Sequence, residues 1–231
     1  MVIPTRSSFA GFDPNRPGPA RGPGPARKRN MSTITKPKYR RLSGTARAAM
    51  LIDAGLACLA RGGILGFTID NICREAKVSR GLITHHFKSK DGLLAAIYAR
   101  MYSRSLAVFD STPDRTPEIS EVIAAEFHPD VFNRENITIW LALWGEIATN
   151  PVLGTEHRKN YHHYRSAVAA SLNRTAAARK RQIDGENLAV MIIALIDGLW
   201  LENCMAPELM SATSAIAACN QVLEPYLGPL P

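Results

Sequence analysis

The sequence predicts an all-α protein, and three observations support that fold class. Apolar residues recur at helical spacing through most of the chain after residue 44. No segment alternates apolar and polar residues as a half-buried strand does. Residues typical of helix starts and stops bound the apolar stripes. About nine helices are expected, as an N-terminal three-helix domain followed by a larger helical domain.

The N-terminal domain is predicted from three short stretches in a row. Thr45 is the expected N-cap of the first helix, whose apolar stripe stops at Gly62-Gly63. Thr68 is the expected N-cap of a second helix, "IDNICREA". A turn at 77–79 leads to a third helix, "RGLITHHF", and "KSKDGLLAAIYARMYSRSLAVF" then predicts one long helix that links the two domains.

The C-terminal domain is predicted to contain five further helices. Asn150-Pro151 separates the second of them from the third, because proline cannot continue a helix. The expected ranges are 117–127, 135–149, 155–180, 185–204 and 208–226.

Charge divides the chain into three parts. Residues 1–41 are rich in Pro, Gly and Arg and carry a net charge of +9, so a disordered tail is expected. Residues 42–98 carry a net charge of +3 and residues 99–231 a net charge of −4. This division indicates that the N-terminal part of the chain binds a polyanion. The expected domains are 1–41, 42–91 and 92–231. Met31 opens a second plausible start, and we hypothesise that it is the physiological initiator.

Several classes of protein are disfavoured by what the sequence contains. The longest apolar run, "LAVMIIALI", is well short of the roughly 20 residues of a membrane-spanning helix. No secretory signal is evident, and the four cysteines form no CxxC pair, which favours a cytoplasmic protein without structural zinc or disulfides. Motifs for a nucleophile, a metal protease or a phosphate loop are missing, so neither an enzyme nor a cofactor is expected.

The turn at 77–79 between two short helices is typical of a helix-turn-helix. The planar fork of Arg80 suits the two acceptors on a guanine edge, and Gly81 allows close approach to a groove. Val78, Leu82 and Ile83, with Phe87, supply an apolar face that would seat the helix on its domain. Donors suited to phosphate oxygens follow along the polar face: Ser79, Thr84, His85, His86 and Lys90.

The two adjacent histidines are also compatible with a metal site, a catalytic pair or simple packing. Neighbouring helical residues point about 100° apart, and metal-binding histidines prefer i, i+4 spacing. His85 and His86 are therefore interpreted as DNA-facing side chains. By the same geometry, "HRKNYHHYR" at 157–165 is interpreted as a polar helix face.

The stretch "TIDNICREAKVSRGLITHHFKSKDGLL" resembles the DNA-binding signature of TetR-type repressors. Two departures stand out: Lys77 replaces the usual glycine of the turn, and Thr84 replaces the commonest residue there, tyrosine. The non-glycine residue at 77 must then adopt the turn conformation. The resemblance implies these DNA-facing positions: Thr68, Ser79, Arg80, Gly81, Thr84, His85, His86 and Lys90.

The C-terminal domain concentrates its tryptophans. Trp140 and Trp144 lie four residues apart on one helical face, and Asp197 precedes Trp200 by three. Ring faces plus a carboxylate suit a quaternary ammonium ion, which is held by cation–π attraction. Core or subunit-interface packing of the tryptophans remains open, as does a capping or dimer-pairing role for Asp197. The carboxylates of Glu118, Glu121 and Glu126 are expected on a solvated helix face.

Four segments are similar to choline-responsive members of the same family: "MLIDAGLACL", "GLITHHFKSKDGLL", "IWLALWGEIATNPVL" and "ALIDGLWLE". The similarity implies a homodimer that represses glycine betaine synthesis and uptake genes and releases operator DNA when choline binds. A repressor that answers a bulkier or apolar effector, and a helical enzyme or scaffold, are the alternatives.

The last two helices are expected to form the dimer interface as a four-helix bundle across the two-fold axis. The apolar residues assigned to it are Leu188, Met191, Ile192, Leu195, Leu199, Ile216, Val222 and Leu223.

Overall fold

The computed structural model describes residues 43–111 and 114–231, and these form ten α-helices and no strand. The all-α fold class is confirmed. The predictions for residues 1–41, a disordered tail and a start at Met31, lie outside the described residues.

The N-terminal domain comprises α1 (Gly44–Gly66), α2 (Ile69–Ala76) and α3 (Gly81–Phe87). The N-cap of α1 is Ser43 and not Thr45: the Ser43 hydroxyl accepts a hydrogen bond from the Ala46 amide at 3.1 Å. As predicted, the regular helix is interrupted at the two glycines: Gly63 leaves the helical region at φ 54°, ψ −152°, and a last helical turn follows this kink to Gly66.

Helix α2 is capped at both ends, and its C-terminal cap forms the turn to α3. Thr68 caps α2 as predicted, its hydroxyl accepting from the Asn71 amide at 3.2 Å. Lys77 ends α2 in the left-handed region at φ 54°, ψ 45°, the conformation expected where glycine is usual. Ile72 and Ile83 are buried on the inner faces of the two helices, so α3 is seated with its other face outward.

The long linking helix is shorter than predicted. It divides at Leu106 into α4 (Lys90–Ser105) and the single turn α5 (Ala107–Asp110). One end of α4 packs against α1 and α3, and its length also packs against α8 of the C-terminal domain. A single continuous helix therefore belongs to both domains.

The C-terminal domain comprises α6 (Ile119–Glu126), α7 (Arg134–Ile147), α8 (Pro151–Ala178), α9 (Gly185–Met205) and α10 (Ala212–Leu227). Helix α8 begins earlier than predicted because Asn150 caps it, accepting from the amides of Val152 and Leu153, both at 3.1 Å. Proline fits the first turn of a helix, where its missing N–H costs nothing. Helix α8 packs against α4, α6, α7 and α9, which makes it the centre of the domain.

Two helices, α1 and α9, are long and apolar enough by length and composition alone to cross a membrane. In the fold, α1 packs against α2, α4 and α7, and α9 packs against α7, α8 and α10. Core helices of a folded domain pass the same test of length and composition.

Replacing Lys77 tests the strain in the helix-turn-helix. A left-handed backbone costs about 1–2 kcal/mol for a residue with a Cβ and little for glycine. We expect Lys77→Gly to exceed Lys77→Ala in free energy of unfolding by about 1 kcal/mol. Chemical denaturation of both variants measures the difference, and the alanine variant controls for the lost charge. Equal stability of the two would contradict a strained turn.

Candidate functional site

Helix α3 presents a polar surface to solvent. Its exposed face and the turn before it carry Ser79, Arg80, Gly81, Thr84 and His85. On the opposite face, Ile83 is buried, and Val78, Leu82 and Phe87 are partly buried against the core. The predicted DNA-facing residues Thr68 and Lys90 are exposed beside this face.

His86 is less exposed than the adjacent His85. The residue is half-buried, and its Nε2 is covered without a hydrogen-bond partner. Its ring packs between His85, at a centroid distance of 4.9 Å, and Phe87, at 6.2 Å. The structure corrects the prediction that both imidazoles point outward: adjacent helical residues diverge, so with His85 exposed the next ring turns toward the domain.

Two charged side chains of this surface are held in place. The Arg80 guanidinium pairs with the Asp70 carboxylate at 2.6 Å, which ties the turn to α2. The Lys90 ammonium lies 6.0 Å from the centre of the Phe67 ring. Both side chains of the ion pair are exposed, so its effect is to orient Arg80 and not to stabilise the fold.

A cavity lies among the helices of the C-terminal domain. Its volume is about 30 Å³, well below the roughly 300–1,000 Å³ of small-molecule sites. The four residues assigned to a ligand site from sequence all line it: Trp140, Trp144, Asp197 and Trp200. The other lining residues come from α4, α6, α8 and α9: Tyr102, Ser105, Glu126, Tyr164, Ile193 and Ile196.

Aromatic rings form a continuous part of the cavity wall. Trp140 stacks on Trp144 at a centroid distance of 5.8 Å, as their i, i+4 spacing on α7 requires. Tyr102 meets Trp140 edge-on at 5.2 Å and Tyr164 at 6.0 Å. Trp200 comes from α9 and packs against Phe132 at 5.4 Å.

Two carboxyl groups share the cavity. Glu126 is only 6% exposed, and it accepts hydrogen bonds from the hydroxyls of Tyr164 at 2.7 Å and Ser105 at 3.4 Å. Burial raises the pKa of Glu126, and the two hydroxyl donors oppose that rise.

Asp197 lines the same cavity and, unlike Glu126, is exposed. Burial, and then the charge of Glu126, raise the pKa of Asp197 to about 7. No lysine, arginine or histidine is among the described residues that line the cavity.

Comparison with protein families identifies both halves of this arrangement. Residues 51–97 match the model of the bacterial regulatory proteins of the tetR family, and residues 115–228 match the C-terminal domain of BetI-type transcriptional repressors. The BetI regulator of Burkholderia mallei is 30% identical over 191 residues, covering 79% of this chain and 94% of that protein. The chain belongs to the TetR family and has a BetI-type C-terminal domain. It is a transcriptional repressor of that type, a family whose members are generally not enzymes.

Other relatives agree with this assignment. The BetI regulator of Serratia proteamaculans is 31% identical over 179 residues, covering 74% of this chain and 87% of that one. A transcriptional regulator from Pseudomonas aeruginosa PAO1 superposes with a TM-score of 0.71 at 31% identity, covering 81% of this chain and 93% of that one. A regulator from Saccharomonospora viridis, solved in complex with choline, shares the fold with a TM-score of 0.65 at 21% identity, covering 79% and 97%.

The cavity of this repressor includes residues that sequence patterns misassigned. Glu126 was expected on a solvated face, but it continues the buried stripe of Ile119, Val122 and Ile123 at the i+7 position, a spacing visible in the sequence. In the stretch 157–165, His162 and His163 are exposed as expected, whereas Tyr164 is 5% exposed.

The cavity wall is joined to the DNA-binding domain through α4. Tyr102 and Ser105 of the cavity belong to this helix. One turn earlier, the Tyr98 hydroxyl lies 2.7 Å from Nδ1 of His157 on α8. Burial lowers the pKa of His157, so the neutral ring can accept the hydroxyl hydrogen of Tyr98. The ring of Tyr98 also meets Trp140 edge-on at 5.6 Å.

Of the eight residues assigned to the dimer interface, four are at least partly exposed and four are buried within the subunit. Met191 and Val222 are exposed, and Leu195 and Ile216 are partly so. The assignment is corrected for four others that lie within the subunit's own core: Leu188, Ile192, Leu199 and Leu223. Apolar residues at helical spacing show that one face of a helix is buried. They do not show whether that face packs in the subunit's own core or against another subunit. The exposed face of α9 instead carries Asn187, Met191, Ala194, Gly198, Leu201 and Met205, spaced alternately four and three apart.

The raised pKa of Asp197 makes the stability of the folded chain depend on pH. The pKa of Asp197 is about 7 in the folded chain, against about 3.9 when unfolded. The folded state therefore binds the extra proton, and stability falls as pH rises from about 4 to about 7. We expect Asp197→Asn to raise the melting temperature at pH 8 and to raise it by less at pH 5, with a gain limited by the solvent that reaches this exposed side chain. Thermal denaturation across this range checks the prediction, and a gain that is the same at every pH would contradict it.

Proposed function

We propose that this repressor is a homodimer that binds operator DNA through α3 and releases it when choline enters the cavity, controlling genes for glycine betaine synthesis and uptake. The observation that carries the proposal is the cavity itself: three tryptophans and two carboxyl groups, with no cationic residue among its described lining. Such a site suits a small cation and offers no counter-charge for an anion.

The aromatic wall of the cavity suits a quaternary ammonium ligand better than a primary amine. A trimethylammonium group has no N–H to donate, so it is held by ring faces, at about 0.5–2 kcal/mol each, and by a nearby negative charge. Trp140, Trp144 and Trp200 supply rings, and Asp197 supplies the charge. The sequence similarity to choline-responsive regulators and the choline complex of the S. viridis protein, which shares the fold, support this effector.

Operator binding is assigned to the exposed face of α3. Ser79, Thr84, His85 and Lys90 offer donors to phosphate oxygens, and Arg80 offers a bidentate donor to guanine. A helix of this kind enters the major groove, and a two-fold dimer then reads two half-sites on the same DNA. The basic balance of the N-terminal half supports a polyanionic partner.

Dimerisation is assigned to the exposed face of α9 together with α10. Alternating spacings of four and three residues give a straight seam of the kind seen between packed helices. Ala194 and Gly198 lie at its middle and allow close approach, and Met191, Leu201 and Met205 supply exposed apolar surface. Val222 of α10 adds to that surface.

Effector binding reaches DNA through α4 in this proposal. Tyr102 and Ser105 form part of the cavity wall. A ligand that pushes on them would displace α4 and, with it, the DNA-binding helix α3 that packs against α4. The ligand must bind the DNA-releasing arrangement more tightly, by about 5.5 kcal/mol for a shift from 1:99 to 99:1.

Arg80→Ala tests DNA recognition. We expect operator affinity to fall about 10- to 100-fold, because one bidentate base contact is worth about 1–3 kcal/mol. Gel-shift titration against the DNA upstream of the gene measures this, with circular dichroism to verify the fold. Arg100→Ala removes the same charge from an exposed site on α4 and serves as the control. Equal losses in the two variants would exclude base recognition by Arg80.

Trp144→Ala tests the effector site. Trp144 is half-buried, so its truncation disturbs the core less than truncation of the buried Trp140. We expect choline affinity to fall about 10-fold, from the loss of one ring face, with operator binding near normal. Trp144→Phe keeps a ring face and should retain most of the affinity. Calorimetry with choline measures both, and unchanged affinity in Trp144→Ala would remove this residue from the site.

Glycine betaine provides a ligand control in the same calorimetry. Its carboxylate would meet the carboxyl groups of Glu126 and Asp197 without a cation to pair with, so we expect no binding. An uncharged apolar drug that binds where choline does not would favour the alternative effector class over choline.

A further inference from the structure

The cavity holds one carboxyl group more than a singly charged ligand needs. Glu126 is anchored by the hydroxyls of Tyr164 and Ser105, whose donated hydrogen bonds favour its ionised form. Among the described residues, Asp197 receives no hydrogen bond and faces the open space of the cavity. The two carboxyl groups thus differ in their surroundings: hydroxyl donors favour the ionised form of Glu126, and no hydrogen bond from a described residue does so for Asp197.

Every element around Asp197 leaves its charge uncompensated. Across the cavity lie Glu126 of α6, Tyr102 of α4 and Tyr164 of α8, and α7 contributes only indole rings. Helix α10 packs on α9 but contributes no residue to the cavity. The Arg165–Glu186 ion pair at the start of α9 lies about three helical turns away.

Two like charges that line one cavity oppose each other, which favours a proton on one of them while the cavity is empty. Burial and the Glu126 charge together bring the pKa of Asp197 to about 7. A bound cation reverses this preference, because it stabilises the ionised carboxylate.

We propose that the cavity exchanges a proton for its ligand: entry of one monovalent quaternary ammonium ion expels the proton of Asp197 to solvent. The cavity then gains one positive charge from the ligand and loses one with the proton, so its net charge is unchanged. The inference rests on the proposed function and adds to it the regulation of the same site by pH. The effector response of the repressor is accordingly weaker in acid.

The expected change in choline affinity with pH follows from the titration of one group, Asp197. With a pKa near 7, about nine-tenths of Asp197 is protonated at pH 6 and about one-tenth at pH 8. Choline affinity should therefore rise about tenfold from pH 6 to pH 8, because only the ionised form binds the cation well.

Isothermal titration calorimetry of the full chain with choline chloride tests the exchange directly. Titrations at one pH in buffers of different ionisation enthalpy give the number of protons released per choline. We expect about 0.9 at pH 6 and about 0.1 at pH 8. Choline binding with no proton release and a constant dissociation constant would overturn the exchange while leaving the proposed effector standing. No choline binding at any pH would overturn both.

Two variants locate the proton, and a third serves as control. Asp197→Asn should bind choline more weakly and release no proton between pH 6 and pH 8. Glu126→Gln removes the opposing charge, so the midpoint of proton release should move below pH 7. Glu135→Gln changes an exposed carboxylate of α7 outside the cavity and should behave as the wild type. Unchanged release in Asp197→Asn would overturn the assignment, and the wild-type titration alone decides the exchange if that variant fails to fold.

Discussion

Helix α4 packs against the helix-turn-helix and against the C-terminal helices, and both candidate functional surfaces take their positions from it. At its N-terminal end, Leu93 and Ile97 are fully buried beside the helix-turn-helix. Gly55 of α1 lets that contact form, because a Cβ there would collide with the Ile97 side chain. At the other end, Tyr102 and Ser105 line the cavity. Close-packed interiors transmit displacement, so we expect a shift at one end of α4 to reach the other.

Tyr98 joins the two ends through a polar contact inside the core. Burying a phenol costs free energy unless its hydroxyl is hydrogen-bonded, and His157 of α8 meets that need. Burial raises the pKa of Tyr98 well above its ordinary value, so the hydroxyl stays a donor. Its ring also touches Trp140 of the cavity wall. One side chain thus connects the cavity wall, the central helix of the C-terminal domain and the helix that leads to the helix-turn-helix.

The two carboxyl groups of the cavity lower the stability of the folded chain. Glu126 and Asp197 share a confined space in which each raises the free energy of the other's ionised form. Hydrophobic side chains there would pack better, but they would bind no cation. In the proposed effector site a bound cation would offset this repulsion, so we expect the ligand to stabilise the folded chain.

Local sequence was enough to predict most of the helices, the cap at Thr68 and the outward face of α3, because these depend on neighbours within one or two helical turns. It also indicated that two tryptophans share a face of α7. The packing of distant helices was needed to bring Glu126 and Tyr164 to the same cavity, and to turn Leu188 toward the core and not toward a partner. A stripe shows that a helix face is covered, but what covers it depends on residues far along the chain.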